Sequence, residues 1–108
     1  MEINVLGTNY LLVESNEEKD AKLNGRDGYC DTSVKKLVVE EMKRTTPFQK
    51  EKLQEYKKQV IRHELIHAFI YESGLDTCSD WGKNEEMVDW ISIQFPKMIK
   101  AFNEAECI

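Results

Sequence analysis

The chain has 108 residues, of which 41% are hydrophobic and 32% charged, and its net charge is −5. This length predicts one domain over residues 1–108, large enough to bury a core of its own. The mean hydropathy of −0.58 and the lack of a long apolar run argue against a membrane-spanning protein. The excess of acidic residues, 20 against 15 basic ones, argues against a protein that works mainly on the phosphate backbone of nucleic acids.

The start of the chain and its cysteines predict a cytoplasmic protein. Residues 1–4 lack the basic and apolar regions of a secretory signal. The cysteines are odd in number and form no CxxC pair, which favours free thiols in a reducing compartment over a disulfide framework. They are Cys30, Cys78 and Cys107.

The N-terminal part of the chain predicts a small, mostly antiparallel sheet. Residues 2–13 are rich in strand-forming side chains but are interrupted at 7–9, which indicates either one kinked strand or a short hairpin. Residues 29–33 and 36–41 predict another pair of strands, with 37–39 buried at the centre of the second. Turn dipeptides, of which the first favours a positive φ, lie between these segments at Asn24-Gly25 and Asp27-Gly28.

The second half of the chain changes to a helical period. The capping box at residues 46–49 predicts the start of a long helix, and Gly74 lies where a left-handed cap would end it. Beyond Val60 this helix is apolar almost all round, so we expect it to be buried between other elements. A last helix is predicted from about Asn84, with a kink or a break at Pro96. The expected fold class is therefore α+β, with the sheet packed on the central helix and on the C-terminal helix.

Both histidines of the chain lie in the HExxH segment His63-Glu64-Leu65-Ile66-His67. Residues four apart share a helix face, so His63 and His67 can hold one metal ion, for which zinc is the natural choice. Glu64 can then take a proton from a metal-bound water and pass it to a leaving amine. The alternative is a pair of core histidines that are satisfied by hydrogen bonds. Chance alone gives the pattern in about two chains in a thousand, which favours the metal site.

A catalytic zinc site needs a third ligand, and no third histidine remains, so a carboxylate must supply it. Glu85 and Asp89 lie four apart on the last predicted helix, where one can bind the metal while the other orients a histidine. Glu86 is an alternative to Glu85 as the metal ligand, because the pattern defines the register of this helix only to within one or two residues. Both glutamates could instead be acids that complement the positive end of a helix.

The HExxH segment, followed after a short connector by Asn84-Glu85-x-x-x-Asp89, resembles the gluzincin metallopeptidases. The run Glu85-x-x-Val88-Asp89-x-x-Ser92 is similar to the second helix of the small ImmA/IrrE-type zincins, which phages and prophages encode. The resemblance covers roughly the second half of the chain. It implies a minimal zincin-like fold, with Zn²⁺ held by His63, His67 and Glu85, and Glu64 as the catalytic residue. It also implies a zinc metallopeptidase that cleaves a protein or peptide substrate, with a repressor or another regulatory protein as a candidate target.

Several questions stay open at the level of the sequence. An oxyanion partner could be Tyr71, one turn beyond His67, although a tyrosine there is also typical of a core position with its hydroxyl at the surface. The edge of the small sheet could pair with an extended substrate. An alternative function is a zinc-binding regulatory module that binds a partner without proteolysis. The HExxH pattern indicates that a metal-bound water is activated, but it does not indicate which bond the water attacks. A non-proteolytic zinc hydrolase is therefore a third possibility.

Overall fold

The computed structural model describes residues 1–43 and 52–108. Its architecture is α+β, which confirms the predicted fold class. The predicted capping box at 46–49 lies outside the described residues. The elements in chain order are β1 (Glu2–Val5), β2 (Thr8–Ser15), β3 (Gly28–Asp31), β4 (Lys36–Glu40), α1 (Leu53–Glu72), the short α2 (Leu75–Cys78) and α3 (Glu85–Glu104). Among these described helices, none is long and apolar enough to cross a membrane.

The four strands form one sheet in the order β1-β2-β4-β3. β1 and β2 are an antiparallel hairpin that turns at Leu6-Gly7, both with positive φ, so of the two predicted alternatives the hairpin is right. β3 and β4 are also antiparallel, whereas β2 and β4 pair in parallel. The sheet is therefore mostly antiparallel, as predicted, with one parallel pair at its centre.

Apolar side chains cover both faces of this sheet, because residues that alternate along each strand point to opposite sides. On one face, a cluster joins the sheet to α1 through Val5, Tyr10, Leu37 and Ala68. On the other face, a second cluster under the loop between β2 and β3 contains Leu23, Tyr29 and Val38. Residues 37–39 of the central strand β4 are each only 1% exposed, which confirms their predicted burial.

Helix α1 lies on the sheet with one side and on α3 with another. Its third side faces solvent, where Phe69 is 42% exposed. The predicted burial between other elements therefore holds on two sides of its second half and fails on the third, which no described element covers. Its end is as predicted: Gly74 has a φ of +83°, and its N–H donates to the carbonyl of Tyr71 at 3.0 Å.

Helix α3 continues through Pro96 without the predicted break. A proline has no N–H, so the carbonyl of Ser92, four residues earlier, loses its helical donor. That carbonyl instead accepts a hydrogen bond from Nε of Arg62 on α1, at 2.6 Å. The proline thus frees an acceptor that links α3 to α1, and the helix remains continuous.

Glu72, in the last turn of α1, joins the helix to the sheet. Its carboxylate accepts hydrogen bonds from Thr8 Oγ1 at 2.8 Å and from the Tyr10 hydroxyl at 2.7 Å. Lys35, in the turn between β3 and β4, donates from Nζ at 2.9 Å. These donors, the Tyr10 hydroxyl first among them, lower the pKa of Glu72 from its ordinary 4.5 to about 2.

We expect this anchor to make the stability of the fold depend on pH. A carboxyl whose pKa is lowered by folding stabilises the folded state fully above its ordinary pKa, and this contribution is lost as the pH falls. For Glu72 the loss should begin near pH 4.5 and continue toward pH 2. Glu72→Gln should therefore lower Tm near neutral pH and flatten its decline below pH 5, measured by circular dichroism. Glu104→Gln, at the exposed end of α3, is the control; a wild-type pH profile in Glu72→Gln would contradict the anchor.

Candidate metal centre

The two histidines of α1 lie one helical turn apart and face the same cleft. Their Nε2 atoms are 3.1 Å apart. The side chains of His63 and His67 are 17% and 24% exposed, respectively. Burial lowers the pKa of His67, which favours the neutral imidazole that a metal ion requires.

Glu85 completes a group of three potential ligands. Its Oε2 lies 3.1 Å from His63 Nε2, and its Oε1 lies 3.0 Å from His67 Nε2. The start of α3 fixes this position, because the side chain of Asn84 accepts a hydrogen bond from the N–H of Met87 and so caps the helix. In the described part of the chain, only His63, His67 and Glu85 form such a group. The structure thus brings Glu85, and not Glu86, to the histidines.

Asp89, one turn beyond Glu85, lies behind the first histidine. Its Oδ1 is 2.7 Å from His63 Nδ1, so Nδ1–H can donate to the carboxylate and leave Nε2 free to bind a metal. Val88 and Ser92 lie on the same face of α3 and are fully buried. The carbonyl of Ser92 accepts a hydrogen bond from Arg62 and so joins this face to α1, the helix that carries both histidines.

The arrangement of donor atoms fits a zinc ion. One atom each from His63, His67 and Glu85 lies within 4.8 Å of the other two. Tetrahedral zinc with bonds of 2.0–2.1 Å separates its ligand atoms by about 3.3 Å, and each histidine Nε2 lies 3.0–3.1 Å from one of the two carboxylate oxygens of Glu85. Two imidazoles and one carboxylate are also a donor set of catalytic zinc sites, which keep a fourth position for water or substrate.

Glu64 lies beside this group, between α1 and the edge strand β3. A Cβ atom added at Gly28 would lie only 3.5 Å from Glu64 Cγ and 2.9 Å from Val60 Cγ1. The absence of a side chain at Gly28 therefore allows β3 to approach the helix at this point. Burial raises the pKa of Glu64 to about 7, whereas the nearby charges of His63 and Arg26 act in the opposite direction. A pKa near neutrality suits a group that takes up and returns a proton.

The metal-binding group opens into a cleft of about 670 Å³ between β3 and the segment that connects α1 to α3. Tyr71 lies on this cleft, with Nζ of Lys35 4.7 Å from the centre of its ring. Its role as an oxyanion partner stays a prediction. Arg26 also lies on the cleft, and our reading of the sequence missed it. The only local signal was its place between two turn dipeptides.

The edge of the sheet that lines the cleft offers free backbone groups. In the described residues no strand pairs with the outer side of β3. The N–H of Glu40 donates to the carbonyl of Asp27 at 2.8 Å. Hydrogen-bonded and non-hydrogen-bonded pairs alternate along antiparallel strands, so Gly28 and Cys30 must direct their N–H and C=O groups away from β4. Both residues line the cleft.

Comparison with known proteins finds no relative of this chain. The chain matches no model of a protein family, no curated protein and no solved structure. The resemblance to gluzincins therefore depends on the residues of the HExxH segment and of α3 alone.

Proposed function

We propose that this protein is a zinc-dependent metallopeptidase that hydrolyses peptide bonds in a protein substrate. The observation that carries the proposal is the convergence of His63, His67 and Glu85, with Glu64 beside them and Asp89 behind His63. Two core histidines that were merely satisfied by hydrogen bonds would be enclosed by the core, whereas these rings face an open cleft together with Glu64 and Glu85.

The proposed chemistry divides between the metal and the protein. His63, His67 and Glu85 would hold zinc, which when bound lowers the pKa of water and polarises a carbonyl group. Glu64 accepts a proton from the attacking water and later donates it to the nitrogen of the departing amine. Asp89 accepts a hydrogen bond from His63 Nδ1–H and so keeps that ring oriented.

The free edge of β3 supports a peptide as the substrate. An extended chain can add to this edge as a further strand, with its backbone bonded to Gly28 and Cys30 and its carbonyl groups above the metal-binding residues. Backbone pairing gives affinity that depends little on side chains. The resemblance to ImmA/IrrE-type zincins suggests a repressor or another regulatory protein as the target. The cysteines are free thiols, in keeping with the cytoplasmic location that we propose.

Metal analysis and a cleavage assay test this function together. We expect the purified protein to bind about one zinc ion per chain by mass spectrometry of the metal. With zinc, it should cleave members of a mixed synthetic peptide library, as detected by the appearance of new peptide termini. Chelation should abolish cleavage, and added zinc should restore it. If the zinc-loaded protein leaves every peptide intact, the proposed peptidase function is wrong.

Asp89→Asn provides a finer prediction for the same site. An amide can still accept a hydrogen bond from His63, but it lacks the negative charge that strengthens the imidazole as a ligand. We expect zinc affinity to fall about 10–100-fold, measured by competition with a chromogenic chelator. Asp76→Asn, on the far wall of the cleft, is the matched control. Equal affinities in the two variants would show that Asp89 does not support the metal ligand.

A further inference from the structure

Arg26 is a charged residue of the cleft that contacts no group in the proposed mechanism, although its charge partly opposes the rise that burial causes in the pKa of Glu64. Its backbone is held in place, since its N–H donates to the carbonyl of Leu23 at 3.0 Å and the next carbonyl, of Asp27, accepts from Glu40. Its side chain is exposed and makes no hydrogen bond or ion pair with the described residues. A fixed backbone with an unpaired guanidinium group is available to bind an anion that enters the cleft.

The position of Glu64 indicates which half of a substrate would meet Arg26. A residue that returns a proton to the departing amine must lie near the nitrogen of the scissile bond, and that nitrogen belongs to the C-terminal fragment. Glu64 lies beside Gly28, two residues after Arg26. The nitrogen of the scissile bond, and with it the start of the C-terminal fragment, is therefore expected near Gly28.

The direction of strand pairing indicates where the rest of this fragment lies. Antiparallel pairs outnumber parallel ones and are slightly more stable per residue, so an added substrate strand is expected to run opposite to β3. β3 runs from Gly28 to Asp31. The C-terminal half of an antiparallel substrate would thus run past Gly28 toward Arg26, which lies two residues before Gly28 in the chain.

We propose that Arg26 selects substrates with a carboxylate in the first few residues after the scissile bond. This inference rests on the proposed peptidase function. A guanidinium group binds a carboxylate through two parallel N–H bonds, which gives orientation as well as affinity. Of the other charged groups that line the cleft, Glu64 and Glu85 have roles in the site, and Asp76 and Lys83 lie on the opposite wall. The carboxylate can belong to an acidic side chain or to the end of the substrate chain.

The test compares cleavage preferences in the zinc-loaded wild type and in Arg26→Glu. The synthetic library is first used to find cleaved peptides, and defined pairs are then made with Glu or Lys at each of the first three positions after the cut. In the wild type, the Glu peptide should have a kcat/KM about 10–100-fold above that of its Lys partner at one position. Arg26→Glu should abolish or reverse this ratio. Lys97→Glu makes the same charge change at an exposed position of α3 and should keep the wild-type ratio.

A second pair of peptides separates the two sources of the carboxylate. If Arg26 binds the end of the chain, amidation of the C terminus should lower kcat/KM by the same factor, and cuts should lie near that end. If it binds an acidic side chain, amidation should have no effect. Cleavage by the wild type with neither preference, or with a preference that Arg26→Glu leaves unchanged, overturns the inference alone. A library that stays intact overturns the peptidase function, and the inference with it.

Discussion

Glu64→Gln is expected to bind zinc as the wild type does and to cleave peptides about 10²–10⁴-fold more slowly, the usual contribution of a proton-transferring group. The substitution keeps the size and shape of the side chain next to Gly28 but removes the group that accepts a proton. Glu64 is not one of the three grouped ligands, so the metal content should not change. Rates are measured with a peptide that the wild type cleaves, and zinc by elemental analysis.

Glu55→Gln is the matched control for this variant, because it lies on the exposed face of the same helix. It should retain both zinc and activity. A Glu64→Gln protein that still cleaves at the wild-type rate would remove Glu64 from the mechanism. A Glu64→Gln protein that has lost cleavage but replaces the wild type in the cell would instead support the alternative of a zinc-binding module that acts by binding a partner.

Glu85→Gln is expected to reduce zinc affinity by more than 100-fold. Loss of a partner that only orients a ligand costs 10–100-fold, and loss of a direct ligand should cost more. An amide oxygen carries no charge and is a poor ligand for zinc, so only His63 and His67 would remain. Affinity is measured by chelator competition. Cleavage should fall in parallel when zinc is limiting.

The neighbouring residue provides the sharpest control that the chain offers. Glu86→Gln removes the same charge from the same turn of α3, but Glu86 does not belong to the group of ligating atoms. It should bind zinc as tightly as the wild type. Equal losses in both variants would mean that the acids act only through their charge at the start of the helix, which is the alternative that the sequence alone left open.

Local patterns were sufficient to predict the sheet segments, the end of α1 and the start of α3. The dipeptide at Gly25 has the expected positive φ, and Gly74 caps α1. The parallel pairing of β2 with β4 could not be predicted, because it joins strands that are separated by a loop and by β3. Of the two alternatives predicted at Pro96, the break was wrong because it considered one helix alone, whereas Arg62 of the other helix supplies the missing donor.

The candidate site shows the same division between local and distant information. The spacing of His63, His67, Glu85 and Asp89 follows helical periodicity, so their convergence could be expected from the sequence. The choice of Glu85 over Glu86 depends on the cap at Asn84, which fixes the register by one residue. The contacts of Glu72 reach residues more than sixty positions away. No pattern in the sequence identifies such contacts, since they arise only when the sheet packs on the helix.

The bond from Arg62 to the carbonyl that Pro96 frees has a consequence for how the protein would acquire its metal. Together with the buried Val88 and Ser92, it holds the two ligand-bearing helices in register through contacts that include no metal atom. The ligands of a zinc finger, by contrast, meet only when the ion organises an unfolded chain. We therefore expect these contacts to keep the two helices together when a chelator removes the metal ion, so that the fold persists in the metal-free protein.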